Sequence, residues 1–491
     1  MTILQWILIL PLLSAVLTFL APKSLTKLVH LLGSLVSSVA MFCAIWQVYK
    51  GGVSLFACGN MLFLDALGAA FLFLVCVTGF CTQLYAPTYL GWEVASGHAQ
   101  QKAAKLNLTL SHVAVFAMVL ACIANNIGVM WAAIEATTLA TVFMVALLSD
   151  KKSLESAYKY IVVCSVGLAF ALFAVILLYG GAQNVLGEKN DFLFSNLLGV
   201  AGGLNANLMV VVFTFALIGF GTKAGLVPTH TWLPDAHAQG PAPTSALLSG
   251  IVLKVAMLGL VRFYALTLRA SGADFVETMM LISGILTIFV AAFFLIRQHD
   301  VKRMFAYHSI AHMGVVAFAF GVGGKFGIAA GVFHCLAHSF TKALAFLTTG
   351  NIARIYGTKD MTKMGGMIHV APLTTVLFGV AICSLVGVPA FAIFVSEFMA
   401  FKGALFNGQV MVAVVFAIGL GIIFVADFSH FFLASFGREV GTVKHRGEMS
   451  LWENLPLILL AVLVVSFGLY HFDCFWNLVD RSVSMMMEGT K

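Results

Sequence analysis

Charge is what this sequence has least of. Lys, Arg, Asp and Glu together make up 10% of its 491 residues, against 61% hydrophobic ones. A soluble domain needs more polar surface than that, and a disordered chain needs more charge. Both classes are excluded. Paired cysteines are missing too: those at positions 43, 58, 76, 81, 122, 164, 335, 383 and 474 stand singly, with no Cys-x-x-Cys. Neither a cysteine-held iron–sulfur cluster nor a structural zinc is therefore expected. Long linkers are scarce as well. The polar stretches 87–107, 181–206 and 437–453 are too short for a soluble domain. The net charge of +7 suggests nucleic acid at first sight, but the basic residues sit in short loops between apolar runs. No nucleic-acid partner is expected.

What the chain does have is a recurring apolar run of about 20 residues, the length that crosses a bilayer. The expected fold is an all-α polytopic membrane protein of about fourteen spans, with phospholipid around it. They fall near 3–21, 28–49, 61–86, 108–124, 126–148, 157–180, 207–226, 243–266, 278–296, 303–323, 327–353, 370–403, 410–436 and 454–472. The first run has no basic residue before it and no small-residue cleavage site after it, so it reads as a retained span rather than a signal peptide.

Loop charge checks the parity. Loops after odd-numbered spans hold or border Lys23, Lys27, Lys102, Lys105, Lys151, Lys152, Lys159, Arg297, Lys302, Arg303, Arg354, Lys359, Lys363, Arg438, Lys444 and Arg446. Loops after even-numbered spans hold Lys50, Lys189, Arg269 and Lys325, with Lys402 just inside a span end. Cytoplasmic loops collect Lys and Arg, so the odd loops are expected in the cytoplasm and both termini on the outer side.

Proline interrupts two spans. Pro228, in Gly225-Leu-Val-Pro228, breaks the seventh and Pro389, in Gly387-Val-Pro389, breaks the twelfth. Proline inside a helix frees backbone groups that lipid cannot satisfy, so such breaks survive only against protein or water. Each break has an ionisable group close by, Lys223 and Glu397. Breaks in matching positions five spans apart suggest inverted repeats with a transport site at the interruptions. The expected division is 1–107, then a first repeat over 108–266, a second over 267–436, and 437–491.

Ionisable groups at membrane depth are costly and mark ion routes. Glu135 lies in the middle of the fifth span. Lys223, His230, Asp235 and His237 crowd the first break, and Lys254 sits about eleven residues into the next run. Burial penalises an ammonium and a neighbouring carboxylate stabilises it, so such a lysine can gain and lose a proton where arginine cannot. His334, His338 and Lys342 are spaced four apart on one helix face. A metal is disfavoured there by the ammonium one turn on, and a hydrated proton relay suits imidazole better. His308 and His312, one turn apart, read equally as relay or polar packing. Glu397 is the expected far-end exchange site, with Asp427 and His430 as companions. Asp65, at the head of the third span, reads equally as a helix N-cap.

At these residues the chain resembles the antiporter-like proton-translocating subunits of respiratory complex I, membrane-bound hydrogenases and multisubunit sodium/proton antiporters. The likeness is greatest to component F of hydrogenase-4-type, formate hydrogenlyase-like complexes. It runs over roughly 60–435 and rests on Ile134-Glu-Ala-Thr-Thr-Leu139, the run from Gly221 to His237, Lys302-Arg-Met-Phe-Ala-Tyr-His-Ser-Ile310, and the run from His334 to Asn351. The resemblance implies fourteen helices, two inverted five-helix repeats and discontinuous helices seven and twelve. It also implies a Glu135–Lys223 pair, a central relay of Lys254 with His334, His338 and Lys342, and Glu397 as the terminal residue. Some members carry lysine at that last position. The chain's end soon after the fourteenth span implies that the long lateral helix of the largest such subunit is lacking.

No quinone, flavin, nickel or cluster motif appears in the sequence. The resemblance places the nickel–iron centre and the iron–sulfur clusters in partner subunits and leaves this chain to move protons, or sodium ions, in a bacterial or archaeal cell membrane. Two other readings stay open: a subunit of a sodium/proton antiporter or of complex I proper, and a membrane anchor with a silent relay.

Overall fold

A computed structural model describes residues 1–148, 150–187, 192–439 and 443–488. Helices dominate it. The first six are α1 (Ile3–Leu20), α2 (Lys23–Gly51), α3 (Ala66–Ala95), α4 (Gln101–Ile123), α5 (Ile127–Val145) and α6 (Lys151–Leu186). Then come α7 (Phe194–Val200), α8 (Ala206–Ala224), α9 (Trp232–Gln239), α10 (Ala242–Leu247) and α11 (Leu253–Ser271). The second half holds α12 (Ala273–Leu295), α13 (Val301–Val322), α14 (Gly324–Tyr356), α15 (Met367–Val370), α16 (Pro372–Leu385), α17 (Ala392–Phe406), α18 (Val410–Phe436), α19 (Leu451–Leu469) and α20 (Asp473–Met487). An antiparallel hairpin of β1 (Leu55–Ala57) and β2 (Leu62–Leu64) leads into α3.

Among the described residues twelve helices, with α10–α11 taken as one run, are long and apolar enough to span a membrane. Two expected spans lie outside that set for physical reasons. The eleventh is α14, a helix of 33 residues whose histidines, Lys342 and hydroxyls lower its hydropathy. The twelfth is split into α16 and α17. With these two the fourteen expected spans are all present.

Several expected boundaries move outward. The expected loop 87–107 is largely taken up by the end of α3 and the start of α4, and α6 runs on to Leu186. A helix of 36 residues is about 54 Å long, well beyond a hydrocarbon core of about 30 Å. Its polar ends lie where water solvates them, so hydropathy alone underestimates its length. Lys189, counted with the loop charges, lies outside the described residues.

Short polar side chains start the helices. Asp65 accepts from the Gly68 amide, Asn126 from Val129, Asp150 from Ser153 and Asn205 from Leu208. Each supplies an acceptor to an amide that has no partner within the helix. Large apolar side chains on α1, α6 and α18 face outward, among them Val16, Phe19, Val166, Ile176, Val425 and Leu433. That is the pattern of a lipid-facing shell. Inside it α10–α11 and α13 are wholly buried, and almost all of α14 is too. The polar residues of interest lie on this inner set.

Candidate functional site

The seventh span ends at Ala224, and Gly225 turns the chain at φ 85°. This left-handed geometry favours glycine. The groups freed by the break find partners in the protein. The Trp232 indole donates to the Thr222 carbonyl at 2.9 Å, the Val227 amide donates to Thr287 Oγ1 at 3.1 Å, and the Thr222 hydroxyl meets that of Thr229 at 2.8 Å. Pro228 lies inside this reconnected turn. The twelfth span breaks in the same manner: α16 ends at Leu385, Gly387 has φ 69°, Ala390 has φ 87°, and α17 starts after Pro389. The Val388 amide returns to the Cys383 carbonyl at 2.9 Å.

Lys223 is buried in the last turn of α8. Its ammonium donates to Thr138 Oγ1 at 2.6 Å and to the Tyr160 hydroxyl at 2.8 Å, and it lies 4.7 Å from the Tyr160 ring centre. Tyr160 continues the chain to Thr141 at 2.8 Å, and Thr141 donates to the Thr137 carbonyl at 2.7 Å. Trp232 from α9 stacks on the other side of Tyr160, 4.6 Å between ring centres. The expected direct pair with Glu135 is not formed. Glu135 accepts from the Ser165 hydroxyl at 2.7 Å, and its other oxygen is buried with no hydrogen bond within the chain. The hydroxyls of Thr138 and Tyr160 occupy the ammonium's reach, which corrects the expectation of contact.

Lys254 stands one turn past an irregularity that the sequence did not reveal. Residues Leu248–Val252 between α10 and α11 form a π turn. Such a turn leaves a carbonyl without its ordinary i+4 donor. The Ser249 carbonyl is that group, and the Lys254 ammonium donates to it. The Ser249 hydroxyl meets Ser309 of α13 at 2.7 Å.

The four histidines converge. His308 and His312 on α13 stack at 5.4 Å between ring centres; His312 lies 5.1 Å from His334 and 4.7 Å from His338 on α14. The hydrogen bonds give this cluster a direction. Ser396 Oγ donates to the Ile393 carbonyl at 2.7 Å, so it accepts from His334 Nδ1–H at 2.9 Å. His334 Nε2 then carries the lone pair and accepts from His312 Nδ1–H at 3.1 Å, leaving His312 Nε2 as an acceptor without a partner. A proton received there can pass along the string toward Ser396, the sequence neighbour of Glu397. Lys342, on the same face of α14, donates to the Phe305 carbonyl at 2.7 Å.

Glu397 is 6% exposed and one of its oxygens makes no hydrogen bond. It packs on Gly387 at the second break and lines a cavity of about 310 Å³ with Val386, Phe394, Phe398 and Phe416. Asp427, expected beside Glu397, instead pairs with His308, both wholly buried. His430 is half-buried, with Nε2 unpartnered. His237 is wholly buried against Phe346, with neither ring nitrogen hydrogen-bonded, and His230 sits in the first break with Nδ1 unpartnered. Asp235 lies toward the surface between Lys159 at 3.2 Å and Arg303 at 3.1 Å.

Asp65 caps α3 and also faces Arg262 at 3.5 Å. Arg262 is wholly buried on α11, its guanidinium 4.6 Å from the Phe194 ring centre. Sequence reasoning missed this arginine, although an arginine in the middle of an apolar run is itself a signal. Tyr160 and Ser396 were missed as well, and nothing local marks them. Among the described residues no three His, Cys, Asp or Glu side chains converge as metal ligands.

Fold and polar interior together define a polytopic membrane subunit with ionisable groups strung through its buried helices. The chain belongs to the NADH:quinone oxidoreductase/Mrp antiporter transmembrane family, whose model matches residues 124–423. It is 36% identical over 417 residues to the hydrogenase-4 component F homolog of Methylacidiphilum infernorum, covering 84% of this chain and 86% of that protein. It is 27% identical over 339 residues to a Na(+)/H(+) antiporter subunit of Alkalihalophilus pseudofirmus, covering 68% of this chain and 66% of that one. A chain of the membrane-bound sulfane sulfur reductase, an archaeal respiratory membrane complex, superposes with a TM-score of 0.86 over 99% of this chain and 98% of that one, at 24% identity.

Proposed function

We propose that this chain is the proton-moving membrane subunit of a hydrogenase- or complex I-like assembly, driven by redox chemistry in partner subunits that hold the nickel–iron and iron–sulfur centres. The observation that carries this reading is the directed string His312–His334–Ser396 at the second break, beside Glu397. Imidazoles hydrogen-bonded in series accept a proton at one nitrogen and release another from the other. The likeness to a hydrogenase-4 component F homolog over 84% of the chain supports the choice of assembly.

In this reading Glu135 and Lys223 form the control point nearest a neighbouring subunit. A shift that brings the carboxylate to the ammonium holds the lysine's proton, and separation releases it toward Lys254 and the histidines. Glu397 hands it to the far side. His230, His237, Lys342 and the His308–Asp427 pair flank the route, and the two breaks at Pro228 and Pro389 head two inverted repeats. Moving one charge against 100 mV requires about 2.3 kcal/mol, within what the making and breaking of a buried pair supplies. The basic loops lie in the cytoplasm and the termini outside.

The test is Lys254→Met and Glu397→Gln in the intact assembly, with vesicle acidification measured per electron transferred. The reading predicts loss of acidification in both with assembly retained; acidification equal to the parent in both refutes it and favours a passive anchor. A second reading, membership of a multisubunit sodium/proton antiporter, draws on the likeness to the Alkalihalophilus protein. Acidification that requires sodium in place of redox turnover selects it.

A further inference from the structure

A second group of buried titratable side chains lies outside the string just described, among α2, α3 and α4. His30 on α2 and His112 on α4 are wholly buried with ring centres 4.7 Å apart, and Gln83 of α3 joins them. His30 Nε2 lies 3.0 Å from the Gln83 carbonyl, which can only accept, so that nitrogen carries the hydrogen and His30 Nδ1 holds a lone pair. Gln83 Nε2 donates to His112 Nδ1 at 3.3 Å and is 3.3 Å from the Ser111 hydroxyl, so the hydrogen of His112 sits on Nε2. Neither His30 Nδ1 nor His112 Nε2 is hydrogen-bonded within the chain. One site thus presents a buried acceptor and a buried donor side by side. Ser34 and Ser37, one and two turns further along the same face of α2, and Thr18 on α1 also have buried hydroxyls without partners. Chains do not collect unsatisfied polar atoms at membrane depth without something polar to meet them.

The position fits a proton inlet. Seven residues separate Lys23 from His30, and eleven separate Gln101 from His112, so the pair lies about 10–16 Å in from the end of the bundle carrying Lys23, Lys27, Lys102 and Lys105. From there α3 leads to the centre. Thr82 and Thr78, both buried, follow Gln83 along α3, and Thr78 Oγ1 meets Ser339 Oγ of α14 at 2.9 Å, next to His338. Gly250, in the π turn that holds Lys254, is pressed between Thr78 and Ser339. The Thr78–Ser339 bridge therefore joins the side of α3 that faces α2 and α4 to the turn that holds Lys254.

We propose that His30 and His112, held by Gln83, form a second proton-carrying site that takes water-borne protons from the basic end of the bundle and delivers them across Thr78 and Ser339 to the Lys254 centre. A proton added at His30 Nδ1 is matched by release of the one on Nε2, and His112 gives up its Nε2 proton as it takes one at Nδ1, so each ring ends neutral. Gln83 is a positioning residue. The inference rests on the proton-moving reading above.

The experiment uses the intact assembly in vesicles and compares His30→Gln/His112→Gln, Thr78→Val and Lys254→Met, with co-migration of the partner subunits as the assembly check. Expected are a fall of about tenfold in proton transfer per electron for the double variant and for Thr78→Val, and no transfer in Lys254→Met. If the double variant and Thr78→Val pump as the parent does while Lys254→Met does not, the inlet is overturned and the central string stands. If Lys254→Met also pumps, the underlying reading fails with it. Should the double variant fail to assemble, Thr78→Val decides alone, since it keeps the side chain's shape and removes the bridging hydroxyl.

Discussion

Lys223 reaches Tyr160, not Glu135. Its ammonium donates to the phenol at 2.8 Å while Glu135 is engaged by Ser165 at 2.7 Å. The carboxylate and the ammonium are therefore held apart by neutral hydroxyls, and the pair is captured in its separated arrangement. Tyr160→Phe removes the phenol that keeps Lys223 occupied. We expect proton transfer per electron, measured in vesicles, to fall by about tenfold, because the ammonium is no longer handed on through Tyr160 and Thr141. Phenylalanine keeps the stacking on Trp232, so assembly should be unchanged.

The Asp65–Arg262 pair is a matter of stability. Arg262→Met leaves the carboxylate buried without its cation, and loss of one partner of a buried pair costs roughly 3–5 kcal/mol. Asp65→Asn combined with Arg262→Met removes both charges and should recover most of that loss. Thermal unfolding of the purified assembly measures both; a double variant no more stable than Arg262→Met alone would show that the pair is not the cause.

Gly225→Ala tests the first break. The residue has φ 85°, and an added Cβ would lie 2.6 Å from Leu233 Cδ1. The left-handed conformation alone costs about 1–2 kcal/mol for a residue with a side chain, and α9 would be pushed from Tyr160 through Trp232. Reduced thermal stability together with slower proton transfer is expected; unchanged values in both would mean the turn relaxes freely.

Acid sensitivity should trace in part to Asp150, outside the membrane at the head of α6. Hydrogen bonds from Ser153 hold its carboxyl below the usual value of 3.8. The folded form thus favours the carboxylate, so the contribution is complete above about pH 4 and is lost as the pH falls through the lower folded value. Asp150→Ala should reduce stability by about 1 kcal/mol near neutrality, with the gap to the parent closing on acidification. Melting curves at several pH values would record that convergence.

Much of this was legible in one dimension, and the reason differs by feature. Spans announce themselves by length, and the breaks by Pro228 and Pro389, because lipid tolerates neither polar gaps nor free backbone unless the protein compensates. His334, His338 and Lys342 share a face by helical period alone. Partners across helices were not legible. Nothing near Ser396 in sequence points to His334, and nothing near Lys223 points to Tyr160, which lies 63 residues away. The amphipathic α20, packed on α3 and α14, was overlooked because span-finding rewards uniform hydropathy. His30 and His112 were passed over because each stands alone in its own run.

The widened turn at Leu248–Val252 sets a register for everything after it. It accommodates one more residue than regular winding would, so deleting any one of its five residues would give a neater coil while rotating the remainder by about 100°. Lys254 and Arg262, both downstream, would swing away from Ser249 and Asp65 together. A single codon lost here should be more damaging than most side-chain replacements in the same helix.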